Sequence, residues 1–192
     1  WDIIVYLDLD IIVRRPINTL QKVNYVAGVK DDMFRRICYQ LKEDAAIIDK
    51  NKFLEFKKNY SLRSYAINSG VLVFNTSVIT DSTYSDLLKL ADKYLLLAKF
   101  PDQLILNIFF YNKITFLSYD YNTFVWFFKS LNVVKRSARI LHFAGEKFKP
   151  WNRKSSFYDE WINLSSLMLD VDFRKQSLVV DKEIVNKNYL RL

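Results

Sequence analysis

Ile3-Ile4-Val5-Tyr6-Leu7-Asp8-Leu9-Asp10-Ile11-Ile12-Val13 decides how this chain is read. Residues 3–7 form a continuous β-branched and apolar run, the pattern of a strand buried on both faces. The run ends on two carboxylates one residue apart, and residues 11–13 resume a short strand. Side chains two residues apart on an extended chain point the same way, so Asp8 and Asp10 share a side. Two carboxylates so placed suit a hard divalent cation, Mg²⁺ or Mn²⁺. The spacing alone is common, and Asp170-Val171-Asp172 repeats it. That second pair is expected in a solvated turn after a helix. Its place at a buried strand's end sets the first pair apart.

Outward from this stretch, strands and helices alternate. Pro16 fits the first turn of a short helix through Leu20. Residues 25–29 read as a strand closed by Lys30-Asp31-Asp32. Charged and apolar residues alternate at helical spacing over about 33–59. Asn68-Ser69-Gly70 reads as a turn leading into the buried strand Val71-Leu72-Val73-Phe74. Ser82 or Thr83 is placed to cap a helix whose Leu87, Leu88, Ala91 and Leu95 share one face. Pro101 starts another helix. Residues 114–117 and 139–143 read as strands, and Trp161, Leu164 and Leu167 mark a last helix. The alternation predicts an α/β fold with a mixed, mainly parallel central sheet.

The composition agrees with one folded domain. Of 192 residues 51% are hydrophobic and 26% charged, with three Gly and three Pro, which excludes disorder and linker-rich chains. The single cysteine, Cys38, excludes an internal disulfide framework and a thiolate zinc cluster. No apolar run is long enough to span a membrane. No secretory signal is expected, because Trp1-Asp2 opens directly into the first strand. Lys and Arg outnumber Asp and Glu by 29 to 21, a net charge of +8 that favours anionic partners.

Other chemistry-bearing residues gather at element ends. His142, the only histidine, closes a strand; alone it reads as a packed, hydrogen-bonded ring or as a third metal ligand. Gly145 and Lys149 follow in a basic loop, where a glycine lets a backbone N–H approach a phosphate and a lysine supplies a point charge. Asn68 offers donors and acceptors to sugar hydroxyls. Asp102 and Gln103 stand at a helix start, where an acidic side chain is also expected from the helix dipole.

The order of these motifs is more specific than any one of them. Tyr6-Leu7-Asp8-Leu9-Asp10, then residues 67–75 (INSGVLVFN), then Asp102-Gln103-Leu104-Ile105-Leu106-Asn107, then Leu141-His142-Phe143-Ala144-Gly145 with Lys149-Pro150-Trp151 closely resemble the family 8 glycosyltransferases. These retaining, nucleotide-sugar-dependent enzymes include glycogenin and bacterial lipopolysaccharide galactosyl- and glucosyltransferases. The resemblance implies a GT-A fold, Rossmann-like, with residues 1–161 as a partial catalytic domain and 162–192 as a helical or irregular C-terminal extension. It implies Asp8, Asp10 and His142 as ligands of Mn²⁺, with Mg²⁺ as the alternative. Asn68 and Ser69 match donor-sugar contacts, Gly145 and Lys149 the diphosphate contacts, and Asp102 and Gln103 the catalytic helix start.

The implied reaction moves a hexose, glucose or galactose, from a UDP-sugar to a glycan or lipid-linked acceptor, with no nucleic-acid partner beyond the nucleotide. A cytoplasmic location is expected, peripheral to the inner membrane where the acceptor is a lipid. In the family, further strand units precede the paired carboxylates and bind the nucleoside. Their absence before Ile3 predicts a fragment or a domain completed from elsewhere, with an inactive binding module as the alternative.

Overall fold

The structure is a computed structural model that describes residues 1–21, 23–125 and 138–169. By compactness the chain divides into residues 1–144 and 145–192. Among its described residues the first unit holds two sheets. Strands β1 (Ile3–Leu7), β3 (Val26–Lys30), β4 (Ile67–Asn75) and β5 (Ile114–Leu117) form one, in the order β1-β4-β3-β5. Strands β2 (Ile11–Val13), β6 (Thr123–Phe124) and β7 (Ile140–His142) form the other, in the order β2-β7-β6.

The sheets are mixed, as expected for this α/β fold, but their parallel share is smaller than the sequence suggests. The β3–β5 and β6–β7 pairs are parallel, whereas β1–β4, β3–β4 and β2–β7 are antiparallel. Alternation of strands and helices does not fix direction: the long helical connection between β3 and β4 returns the chain antiparallel.

Strand β4 is covered on both faces, which accounts for its unbroken apolar sequence. Val73 packs with Ala27, Leu20 and Val23 on one side, and Leu72 packs with Val26, Ile67 and Phe110 on the other. A third cluster lies among the helices. There Ile37, Leu41 and Phe56 meet Tyr94, Leu97 and Leu104.

The helix expected over 33–59 is three helices: α1 (Ile37–Gln40), α2 (Ala45–Ile48) and α3 (Lys50–Asn59). Leu41 turns extended and bridges Ala98, and Asp49, also extended, caps α3 by accepting from Lys52 N. The helix α4 (Thr83–Tyr94) forms where expected, but Ser82 makes no side-chain cap bond. Its packed face is Leu87, Leu90 and Ala91, with Leu88 exposed and Leu95 beyond the helix end. The helix α5 (Pro101–Phe109) begins at its proline. In place of the helix at Pro16 a 3₁₀ turn covers Asn18–Gln21.

In the second unit α6 spans Tyr158–Leu169, and Trp151 and Trp161 stack edge to face 6.2 Å apart. The Asp170/Asp172 pair lies outside the described residues. Among the described residues no helix is long and apolar enough to cross a membrane.

Candidate metal centre

The chain changes sheets at Asp8-Leu9-Asp10, and that crossing builds the site. Leu7 is the last β1 residue paired with β4, opposite Val71, and Asp8 N donates to Gly70 O at 2.8 Å. Three residues later Ile11 pairs with His142 in the second sheet, and Phe143 N donates to Asp10 O at 2.9 Å. Backbone pairing thus brings both carboxylates to the end of β7. His142 Nε2 lies 3.5 Å from Asp8 Oδ2 and 3.4 Å from Asp10 Oδ1. One ligand atom from each residue lies within 4.8 Å of the others. Atoms about 2.2 Å from a shared ion sit at most about 4.4 Å apart, so small side-chain shifts suffice for ligation. Two oxygens and one imidazole nitrogen fit Mn²⁺ or Mg²⁺ better than a soft metal.

The electrostatics favour a cation at this point. His142 is buried, which opposes its charged form. Hydrogen bonding to Asp10 and Asp8 outweighs that burial and raises its pKa. Asp8 is held below the ordinary carboxylate range, chiefly by His142 and against its own burial, with help from the Tyr6 hydroxyl donating at 2.8 Å. In the metal-free protein a proton on His142 does part of the work that a bound ion would do.

Behind the cluster runs a continuous polar chain. Asn68 and Ser69 are residues of β4, not of a turn before it. Gly70 does not break the strand because its missing side chain makes room for the His142 ring, a close approach typical of a strand glycine. Gly70 N donates to Asn68 Oδ1 at 2.9 Å, and Asn68 Nδ2 donates to Gln103 Oε1 at 3.0 Å. Gln103 Oε1 also accepts Ser69 N at 3.0 Å, while its Nε2 donates to Asp31 Oδ2 at 3.2 Å. Asp102 Oδ2 accepts the Ser69 hydroxyl at 3.0 Å. The predicted residues Asn68, Ser69, Asp102 and Gln103 therefore form one group. Gly145 and Lys149 belong to the second unit. Gly145 has φ +68°, the left-handed region where glycine is favoured.

Sequence reasoning missed three members. Asp31, at the end of β3, accepts from Phe34 N at 2.7 Å as well as from Gln103. It ends a strand on a carboxylate just as Asp8 does, and that signal was available. Asn107, one turn beyond Gln103 on α5, accepts Ile67 N and donates to Ile67 O, each at 2.8 Å, locking α5 onto β4. Asn122, fully buried, donates to Asn68 Oδ1 at 2.9 Å and meets His142 Nδ1 at 2.8 Å. Its place follows from the two-residue strand β6, which has no sequence pattern. No buried side-chain nitrogen or oxygen among the described residues lacks a partner, so the network is fully satisfied.

Comparison with solved structures finds the same fold. The apo bifunctional glycosyltransferase WbbM superposes with TM-score 0.61 at 24% identity, over 85% of this chain and 32% of that one. The galactosyltransferase LgtC, in complex with donor and acceptor sugar analogues, gives TM-score 0.62 at 19% identity, over 86% of this chain and 61% of that one. The glycosyltransferase GlyE of Streptococcus pneumoniae TIGR4 gives 0.60 at 22% identity, over 92% of this chain and 44% of that one. The chain thus spans between about a third and three fifths of these GT-A proteins. No curated protein sequence matches it. The description of glycosyl transferase family 8 matches residues 1–155, carrying every motif above, and the chain belongs to that family.

Proposed function

We propose that this chain carries the donor and metal side of a retaining glycosyltransferase, which moves glucose or galactose from a UDP-sugar to a glycan or lipid-linked acceptor. The observation that carries the reading is the convergence of Asp8, Asp10 and His142 beside the Asn68–Gln103 chain. Asp8, Asp10 and His142 would hold Mn²⁺ or Mg²⁺, whose chemistry is to neutralise charge building on the departing diphosphate. The resemblance, and not any placement of the second unit, gives Gly145 and Lys149 to the same diphosphate, where the lysine would add a second positive charge.

Asp102 and Gln103 then divide the work at the sugar. Gln103 is buried and bonded through both amide atoms, so it holds Asn68 and Asp31 in place. Asp102 is exposed, anchored through one oxygen on Ser69. It faces positive charge at the oxocarbenium-like anomeric carbon. Ser69 offers its hydroxyl oxygen to the sugar, while Asn68, matched to the sugar by the resemblance, spends its amide on Gln103, Asp31, Gly70 and Asn122 and orders the strand instead. A cytoplasmic enzyme of net charge +8 also suits peripheral contact with an anionic inner membrane that carries a lipid-linked acceptor.

The experiment is to titrate UDP-glucose and UDP-galactose with and without Mn²⁺, and to follow sugar transfer and UDP release in parallel. Metal-dependent binding with transfer supports the enzyme. Metal-dependent binding without transfer makes the chain a donor-binding module. Absence of binding in Mn²⁺ overturns both.

A further inference from the structure

We infer that Asn122 is a positioning residue for the metal centre: it accepts the His142 Nδ1 proton and so presents the Nε2 lone pair to the point between Asp8 and Asp10. The inference rests on reading Asp8, Asp10 and His142 as metal ligands.

The orientation follows from two backbone donors whose polarity is not in question. Gly70 N donates to one Asn68 side-chain atom at 2.9 Å, so that atom is the carbonyl oxygen. Ser69 N donates to one Gln103 atom at 3.0 Å, so that atom too is the oxygen, and it takes the Asn68 amide nitrogen. With Asn68 Oδ1 fixed, the Asn122 atom facing it at 2.9 Å is Nδ2. Asn122 Oδ1 therefore faces His142 Nδ1 at 2.8 Å, and Nδ1 carries the hydrogen. That contact has hydrogen-bond length, while the Nε2 contacts to the carboxylates, 3.4 and 3.5 Å, are longer. Which imidazole nitrogen binds a metal is set by the bond the other makes. The opposite tautomer would direct an N–H into the ligand point and exclude an ion. At 0% exposure, Asn122 is out of reach of bulk solvent.

His142 is the only histidine, so its two ring ¹⁵N shifts can be read without assignment. The metal-free chain is measured above the pH at which the ring loses its second proton. The expected signal is a protonated Nδ1 and a bare Nε2, opposite to the form that free histidine prefers in water. Asn122→Ala should move the proton to Nε2, where the carboxylates accept it, and weaken Mn²⁺ binding about 10–100-fold. Asn122→Asp retains an acceptor at Nδ1 and should keep the wild-type tautomer, which separates acceptance from packing.

A wild-type ring protonated on Nε2, or an Asn122→Ala chain with unchanged tautomer and Mn²⁺ affinity, overturns the inference. A wild-type chain with the expected tautomer that binds no Mn²⁺ removes the metal reading, and Asn122's role with it. That failure is distinct from a failure of orientation.

Discussion

Gly70 and His142 are in closer contact than any side chain at position 70 would permit. A Cβ built on Gly70 falls 2.1 Å from His142 Cε1 and 2.7 Å from Nδ1. Gly70 is not among the residues with positive φ, so the glycine is required for space and not for backbone conformation. The ring has little room to retreat: Nδ1 is held by Asn122, and the Phe124 ring lies 5.4 Å away.

Gly70→Ala is therefore expected to displace His142 while leaving Asp8 and Asp10 attached to their backbones. Overpacking of this kind costs about 1–3 kcal/mol. Mn²⁺ affinity should fall by about 10-fold or more, the scale seen when a ligand loses its orientation. Urea denaturation and a Mn²⁺ titration of the same sample check both. A variant with wild-type stability and affinity would show that the ring moves aside freely.

Asn107→Leu tests the join between α5 and β4. The substitution keeps the volume but strands Ile67 N–H and C=O, both now bonded to the Asn107 amide. A buried backbone group left without its partner costs about 1–3 kcal/mol, so a loss of about 2–4 kcal/mol in urea is expected. Because Gln103 stands one turn away on the same helix, donor binding should weaken as well. Unchanged stability would mean that water or a neighbouring group replaces the amide.

The parts of the site legible in sequence are those where one strand's own pattern carries the information. The run Ile3–Leu7 announces a strand whose end places Asp8 and Asp10, but not its burial. Strand β1 lies at the edge of the order β1-β4-β3-β5, with Ile4 and Tyr6 exposed, so its apolar run does not mean cover on both faces. Asp31 carries the same signal at the end of β3, hidden by the second acid beside it, Asp32. By contrast, Gly70 reads locally as a strand opener, because nothing in its neighbourhood reveals a histidine ring arriving 72 residues later. Asn122 is less visible still. Its role exists only once β6 pairs with β7 and β4 crosses behind, a meeting of three segments that no single periodicity encodes.

Two substitutions separate charge stabilisation from positioning in the proposed reaction. In an intact enzyme that carries these residues, Lys149→Ala should lower kcat by about 10²–10³ with little change in acceptor KM, as expected when one group that stabilises developing charge is lost. Asp102→Asn should lower kcat while leaving Mn²⁺ affinity within a few-fold, since among the described residues Asp102 meets the network through Ser69 alone. Steady-state kinetics in Mn²⁺ and a direct metal titration check the pair. Unchanged turnover in Lys149→Ala would make that residue an ordinary surface lysine.

The metal-free chain should show a stability maximum set by Asp8 and His142, and added metal should reshape its alkaline side. Asp8 has a lowered folded-state pKa, so its contribution is present above the unfolded carboxylate value of about 3.9 and is lost as pH falls through the folded value. His142 has a raised folded-state pKa. Its contribution is whole below the unfolded value of about 6.5 and is lost as pH rises through the folded value. From these two groups, stability is greatest between about pH 4 and 6.5 and declines on both sides. A divalent ion needs the neutral imidazole, so its binding releases the His142 proton and tightens as pH rises to the folded-state pKa. Saturating Mg²⁺ should accordingly stabilise the chain more at about pH 8 than at about pH 5.5. Urea denaturation across this range, with and without Mg²⁺ and repeated on His142→Asn, is the measurement. The variant should lose both the alkaline decline and most of the Mg²⁺ effect; if it keeps the wild-type profile, another group governs the titration and the Asp8–Asp10–His142 cluster does not hold the ion.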